Sequence, residues 1–219
     1  MDNIFHPENK YIQIANRVVD MCAIGIFWII LSLTIIMIGP ATTAAYHTVT
    51  KVVRRERGTL VKEFWRAFKR DFWKSLVIGL LLTFLMFATY LTDFVYNAPF
   101  IVSGENLDIV SMLLMIIKVF LLIGIGLYYF PILSRFNMSI VRMVWASALL
   151  MFRHFFSTCL IIATVLAAIT IVAIFPFLLV VVPGLCFWII SFPMERILQK
   201  HMQAEDKVVD ESKDQWYLS

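Results

Sequence analysis

Lys118 is the group in this sequence whose setting most calls for a chemical role, because it lies about a third of the way into the otherwise apolar run 109–133. An ammonium at membrane depth costs on the order of 2.5–3.5 kcal/mol on insertion scales, so it needs a partner or a function. Asp20 and Asp93, at the ends of neighbouring apolar runs, are the carboxylates placed to meet it. An ion pair among these three would fix how the helices pack. A snorkelling Lys118 would instead reach the headgroups along its four-carbon stem, and an intramembrane solute site is the sharper alternative. Other chemistry is sparse. His6, His47, His154 and His201 stand far apart, and no HExxH, Cys/His ligand spacing, GxSxG elbow, Walker loop or dinucleotide glycine pattern occurs. No catalytic residue, metal ligand or cofactor site is assigned, and the expectation is a protein that is not an enzyme. Cys22, Cys159 and Cys186 are single residues in apolar runs and imply no disulfide framework.

The elements that would position these groups are membrane helices. At 61% apolar residues and a mean hydropathy of +0.83, the chain has the composition of a bilayer-resident protein. Its organising stretch is 39–75, the one long polar region, with nine basic residues between Lys51 and Lys74 against Glu56, Glu63 and Asp71. A connection of that charge stays cytoplasmic. The net charge of +4 gathers there, which fits orientation and contact with the anionic leaflet of the lipid bilayer, and no nucleic acid partner.

The expected fold class is all-α: a polytopic transmembrane helix bundle with amphipathic interfacial helices on the cytoplasmic side. Five spans are predicted, at 21–38, 75–92, 109–133, 155–175 and 177–195, with a polar tail over 196–219. The first is read as a retained span, since 1–20 lacks the basic leader of a signal peptide. Residues 154–194 contain no Asp, Glu, Lys or Arg. As one helix they would reach about 61 Å, twice the hydrocarbon thickness, so Pro176 and Pro183-Gly184 are read as the break between two spans. The acidic loop 93–109 is placed outside, as is the N-terminus, and the C-terminus is placed in the cytoplasm.

Within the polar region, Gly39 and Pro40 end the first span and open a second helix, which runs at or just below the membrane surface until Gly58 closes it. The following helix carries Leu60, Val61, Phe64, Trp65, Phe68 and Phe72 on one arc, with Lys62, Arg66, Lys69, Arg70 and Lys74 opposite. This pattern fits an interfacial helix on an anionic leaflet. It fits equally a connector packed on its own bundle. Phe64, Trp65, Arg66, Phe68, Lys69 and Arg70 are therefore the candidate partner or lipid interface, with Gly39 and Pro40 setting its angle. Arg70-Asp71-Phe72-Trp73-Lys74-Ser75 is echoed by Arg153-His154-Phe155-Phe156-Ser157-Thr158, the sign of a possible duplicated unit of span, connector and span.

The run Ile36-Met37-Ile38-Gly39-Pro40-Ala41-Thr42-Thr43-Ala44-Ala45-Tyr46, with the aromatic and basic stretch Phe64 to Phe72 behind it, resembles the YesL family of bacterial membrane proteins. Asn16-Arg17 and Arg135-Phe136 are similar to the family as well, while Glu8-Asn9-Lys10-Tyr11 replaces its usual Asn-Pro-aromatic opening. The resemblance implies a multi-pass protein of the bacterial plasma membrane and supplies no catalytic residues. Family members are often encoded beside carbohydrate ABC importers and glycan-degrading enzymes. The expected function is thus a non-enzymatic accessory subunit that binds ABC permease subunits or another membrane protein. The alternative is a small solute carrier or export facilitator with its site around Lys118.

Overall fold

The computed structural model describes residues 10–103, 109–136 and 138–205, and every element among them is helical. Seven α-helices follow one another: α1 (Lys10–Ser32), α2 (Ile38–Thr48), α3 (Leu60–Ser103), α4 (Ile109–Arg135), α5 (Ile140–Arg153), α6 (Phe155–Ile174) and α7 (Val182–Glu205). Four of these, α1, α3, α4 and α6, are long and apolar enough to cross a membrane. The chain is therefore an all-α polytopic bundle with one such helix fewer than the sequence predicts. The difference lies in 177–195. Pro176 opens a 3-10 turn to Val180, α7 begins only at Val182, and Glu195 and Arg196 follow. Its uncharged part, 182–194, is about 20 Å long at 1.5 Å per residue, short of a 30 Å hydrocarbon core.

The first span also shifts. The α1 helix ends at Ser32, not at 38, and a 3-10 turn at Ile35–Met37 reverses the chain into α2. The expected surface helix is in fact the centre of the molecule. Every α2 residue from Gly39 to Thr48 except Thr42 is buried, and burial continues through the π-helical turn Val49–Val53. Its composition explains this. Gly39, Ala41, Ala44 and Ala45 have little or no side chain to hold neighbouring helices off, so α1 and α3 approach closely. The threonines bring their own partners: Thr42, Thr43, Thr48 and Thr50 each donate to the carbonyl four residues back, so their hydroxyls enter the core already bonded.

Gly39 is needed for contact. A Cβ there would lie 2.3 Å from the Ser75 carbonyl oxygen, and one on Gly79 would lie 3.0 Å from the Gly39 Cα. Pro40 lies in the first turn of α2, where its missing N–H costs no hydrogen bond. The α3 helix runs unbroken for 44 residues, so the basic connector and the second span are one rod with no boundary at Ser75. Helix also continues through Asp93 to Ser103, where an outer loop was expected. Gly58, with φ +85, occupies the left-handed turn between the π-helical turn and α3.

The α3 and α4 helices form an antiparallel pair. Lys118 meets Asp93 at one end, and at the other Arg70 donates to the Ser134 carbonyl at 2.9 Å and Lys74 to that of Met138 at 3.2 Å. The α5 helix folds back along α4, seating Met151 on Gly124, where an added Cβ would meet its sulfur at 2.5 Å. Each half of the sequence echo thus has a shorter helix returning beside its first span. The halves differ in form, however, because 70–75 lies inside unbroken α3 whereas 153–158 spans the break between α5 and α6 at His154.

The amino end of α1 departs from the expected topology. Arg17 ion-pairs with Glu56, so the amino end of α1 lies beside the basic connector, not on the face opposite to it. Glu195 of α7 reaches the same end, where it meets Arg55 and Arg135. Residues 1–9, Glu105, Asp108 and the tail beyond Glu205 lie outside the described residues.

Candidate functional site

Charges that close apolar runs in the sequence converge at the basic end of the bundle. Glu195, deep in α7, ion-pairs through Oε1 with Arg135 at the end of α4, and both side chains are 1% exposed. Arg55, just after the π-helical turn, places Nη2 3.6 Å from Glu195 Oε2, and the Tyr46 hydroxyl of α2 donates to Oε1 at 3.2 Å. One carboxylate thereby ties together α2, α4, α7 and the connector. Burial pushes the Tyr46 hydroxyl above its ordinary pKa, and the neighbouring Glu195 carboxylate adds to this. Burial, followed by the adjacent Arg135 charge, pulls the Arg55 guanidinium down, while Glu195 opposes the shift.

A second buried pair braces the connector from the other side. Lys51 Nζ lies 3.1 Å from Glu63 Oε2, and Arg66 Nη1 reaches Oε1 of the same carboxylate at 3.1 Å. Arg54 donates to the Ser191 carbonyl at 2.8 Å and lies 4.7 Å from the centroid of the Phe192 ring, a cation–π contact. His47, on α2 between these groups, is held down to about pKa 3 by burial first and then by the charges of Arg70, Lys51 and Arg135. It is therefore neutral at physiological pH.

The predicted interface residues divide between two surfaces. Phe64 and Phe68 are buried against Met21, Ile24, Ala44, Ala45 and Val49, so this part of the aromatic arc of α3 faces the molecule's own core. Trp65, Arg66, Lys69 and Arg70 are exposed, together with Val61, Lys62 and Trp73. Arg70 is held in place by Asp71, to which its Nη2 donates at 2.7 Å. What α3 presents outward is thus a basic face edged by two indoles, anchored by two buried phenylalanines.

The charges expected within the membrane divide in the same way. Lys118 pairs with Asp93. Asp20 does not join them: it lies one turn from Arg17, at the end where Arg17 meets Glu56. Roughly 50 Å of α3, at 1.5 Å per residue, separates Leu60 from Asp93. Two adjoining cavities of about 330 and 360 Å³ lie deeper in the bundle and share Thr42, Leu127, Phe187 and Ile190 among mostly apolar walls. Sequence reasoning missed Tyr46, Arg55, Arg135 and Glu195 as a cluster because it treated the charges as markers of span ends. The available signal was that Glu195 is the first charge after the long uncharged stretch 154–194, two residues after Pro193.

Comparison with known proteins adds one match. No curated protein and no solved structure matches the chain. A family described as a protein of unknown function, DUF624, matches residues 21–92, which takes in most of α1, all of α2 with its glycine contact, and α3 to one residue short of Asp93.

Proposed function

We propose that this chain is a non-enzymatic integral-membrane accessory subunit of the YesL type, which docks onto the permease subunits of a carbohydrate ABC importer. The observation that carries this reading is the exposed face of α3, where Lys62, Trp65, Arg66 and Lys69 project from a helix whose opposite side is locked into the core by Phe64 and Phe68. A rigid, basic, indole-edged surface suits the anionic cytoplasmic leaflet and a protein seated in it. The match to DUF624 over 21–92 includes this helix and supports the family reading without supplying a mechanism. The sugar-importer partner comes from the YesL resemblance.

The test is neutralisation of Lys62, Arg66 and Lys69 together to glutamine. These side chains are exposed, and Glu63 keeps its pair with Lys51 when Arg66 is lost, so the fold should tolerate the change, while recovery of permease subunits from native membranes should fall at least tenfold. A complex recovered unchanged, with membrane association also unchanged, contradicts the proposal. The carrier alternative places a solute site at Lys118. The ion pair with Asp93 supports a packing role there instead. Under that role, Lys118→Met lowers thermal stability without abolishing any flux in reconstituted vesicles. Flux that disappears in a folded Lys118→Met protein would reverse the choice.

A further inference from the structure

We infer that a small cationic pocket between α3 and the carboxyl end of α4 binds a phosphate-type oxyanion, and that its ligand is the headgroup of an anionic phospholipid. The pocket has a volume of about 210 Å³ and is lined by Arg70, Asp71, Lys74, Ser134, Arg135 and Phe136, with Leu133 behind. Three cations against one carboxylate leave its walls formally +2, and counting Glu195, which pairs with Arg135, leaves +1. The cations are held in place before any ligand arrives. Arg70 donates from Nε and Nη2 to Asp71, and from Nη2 to the Ser134 carbonyl, and none of these bonds uses Nη1. Lys74 donates to the Met138 carbonyl across the rim at 3.2 Å. Planar guanidinium and ammonium donors fixed at one mouth match a tetrahedral oxyanion.

The surroundings point to a lipid as the source. Trp73, next to Lys74, is 75% exposed, and Trp145 on α5 is 68% exposed, which puts indoles at the level where headgroups lie. Phe136 belongs both to the anion pocket and to an adjoining groove of about 670 Å³. That groove runs between α4 and α5 past Trp145, Leu149 and Leu150, with Arg142 and Arg153 among its walls. An apolar channel opening beside a cationic pocket suits a chain-bearing phosphate, with the acyl chain in the groove and the phosphate between Arg70 and Lys74. The exposed basic face of α3 used above for partner docking is a different surface, apart from Arg70.

The test uses the full chain purified in a neutral detergent, with thermal stability and native mass spectrometry as readouts. Phosphatidylglycerol should be retained at a concentration at least tenfold lower than phosphatidylcholine and should raise the melting temperature where phosphatidylcholine does not. Lys74→Glu should abolish that preference, and Arg70→Gln should weaken it. Inorganic phosphate at millimolar concentration separates the two sources. If it leaves the melting temperature unchanged, the ligand is the lipid. If it stabilises the protein as well as phosphatidylglycerol does, and Lys74→Glu removes the effect, the site takes the free anion and the lipid assignment falls. Equal retention of the two lipids by the unmodified protein overturns the proposal outright, and so does a preference that survives Lys74→Glu. Should either variant fail to fold, the comparison of lipids on the unmodified protein still decides.

Discussion

Glu195 is the residue on which the basic end depends, because its single carboxylate neutralises charge from two arginines and accepts the Tyr46 hydroxyl while nearly excluded from solvent. A buried ion pair is weak evidence for stability, since a well-packed apolar pair can match it, but removing one partner strands a buried charge. Glu195→Gln and Arg135→Met are each expected to cost about 3–5 kcal/mol. The double Arg135→Met/Glu195→Gln should cost clearly less than the sum of the two, as coupled partners do. Denaturant titration in detergent micelles measures both, and strict additivity would remove the pair from the account. His47 gives a second prediction. Its folded pKa of about 3 lies below the unfolded value near 6.5, so below pH 6.5 the unfolded chain binds more protons. Stability from this residue is present above pH 6.5 and is lost as pH falls toward 3, with a slope of at most about 1.4 kcal/mol per pH unit. Between pH 7 and 5 the wild-type melting temperature should fall more steeply than that of His47→Gln, and parallel profiles would contradict this. Neither residue could be singled out from the sequence. Glu195 reads there as the start of a tail, and the lowered pKa of His47 depends first on its burial and then on nearby charges that only the fold assembles.

The decisive element is α2. Its small residues bring α1 and α3 into contact, and Gly39 admits the Ser75 carbonyl where a side chain could not fit. Gly39→Ala is expected to destabilise by about 1–3 kcal/mol, the range for overpacking a tight contact. Gly126→Ala meets the flexible Leu82 side chain at 3.3 Å and the Phe130 ring only at 4.0 Å and should be nearly silent. Thermal unfolding of the two variants side by side checks the contrast, and equal losses would mean that the Gly39 contact is not special. Much of this element was legible. Pro40 marked its first helical turn, although the chain reverses earlier, at Ile35–Met37, and the helix passes into the π-helical turn at Val49, well before Gly58. What the sequence concealed was depth. Next to a basic run, a helix with three threonines and a fourth in the turn that follows looks like a surface helix, and only the bonds of those hydroxyls to their own backbone reconcile it with burial. The α3 helix misleads in the same way. Its aromatic arc faces apolar surroundings under either reading, and amphipathic periodicity cannot tell a protein core from a lipid face.

At the scale of the whole molecule, hydropathy gave the bundle and its helical class, and it overcounted by one the helices able to cross. The miss came from treating 177–195 as uniformly apolar, when Pro176 delays α7 and Glu195 turns inward to two arginines. Charge bias put the basic connector and the amino end of α1 on opposite sides, because no rule of loop charge anticipates a side-chain pair such as Arg17–Glu56. The assembled molecule has one end where buried ions join α2, α4 and α7, a basic face of α3 beside it, and Lys118 and Asp93 bracing the far end. That polarity is the basis for treating the basic end as the docking end. The most direct test is purification from native membranes in mild detergent of the wild type and of the Lys62→Gln/Arg66→Gln/Lys69→Gln variant, with co-eluting proteins identified by mass spectrometry. The account predicts stoichiometric ABC permease subunits with the wild type and at least tenfold less with an equally stable variant. A wild-type protein that elutes free of permease subunits would contradict it.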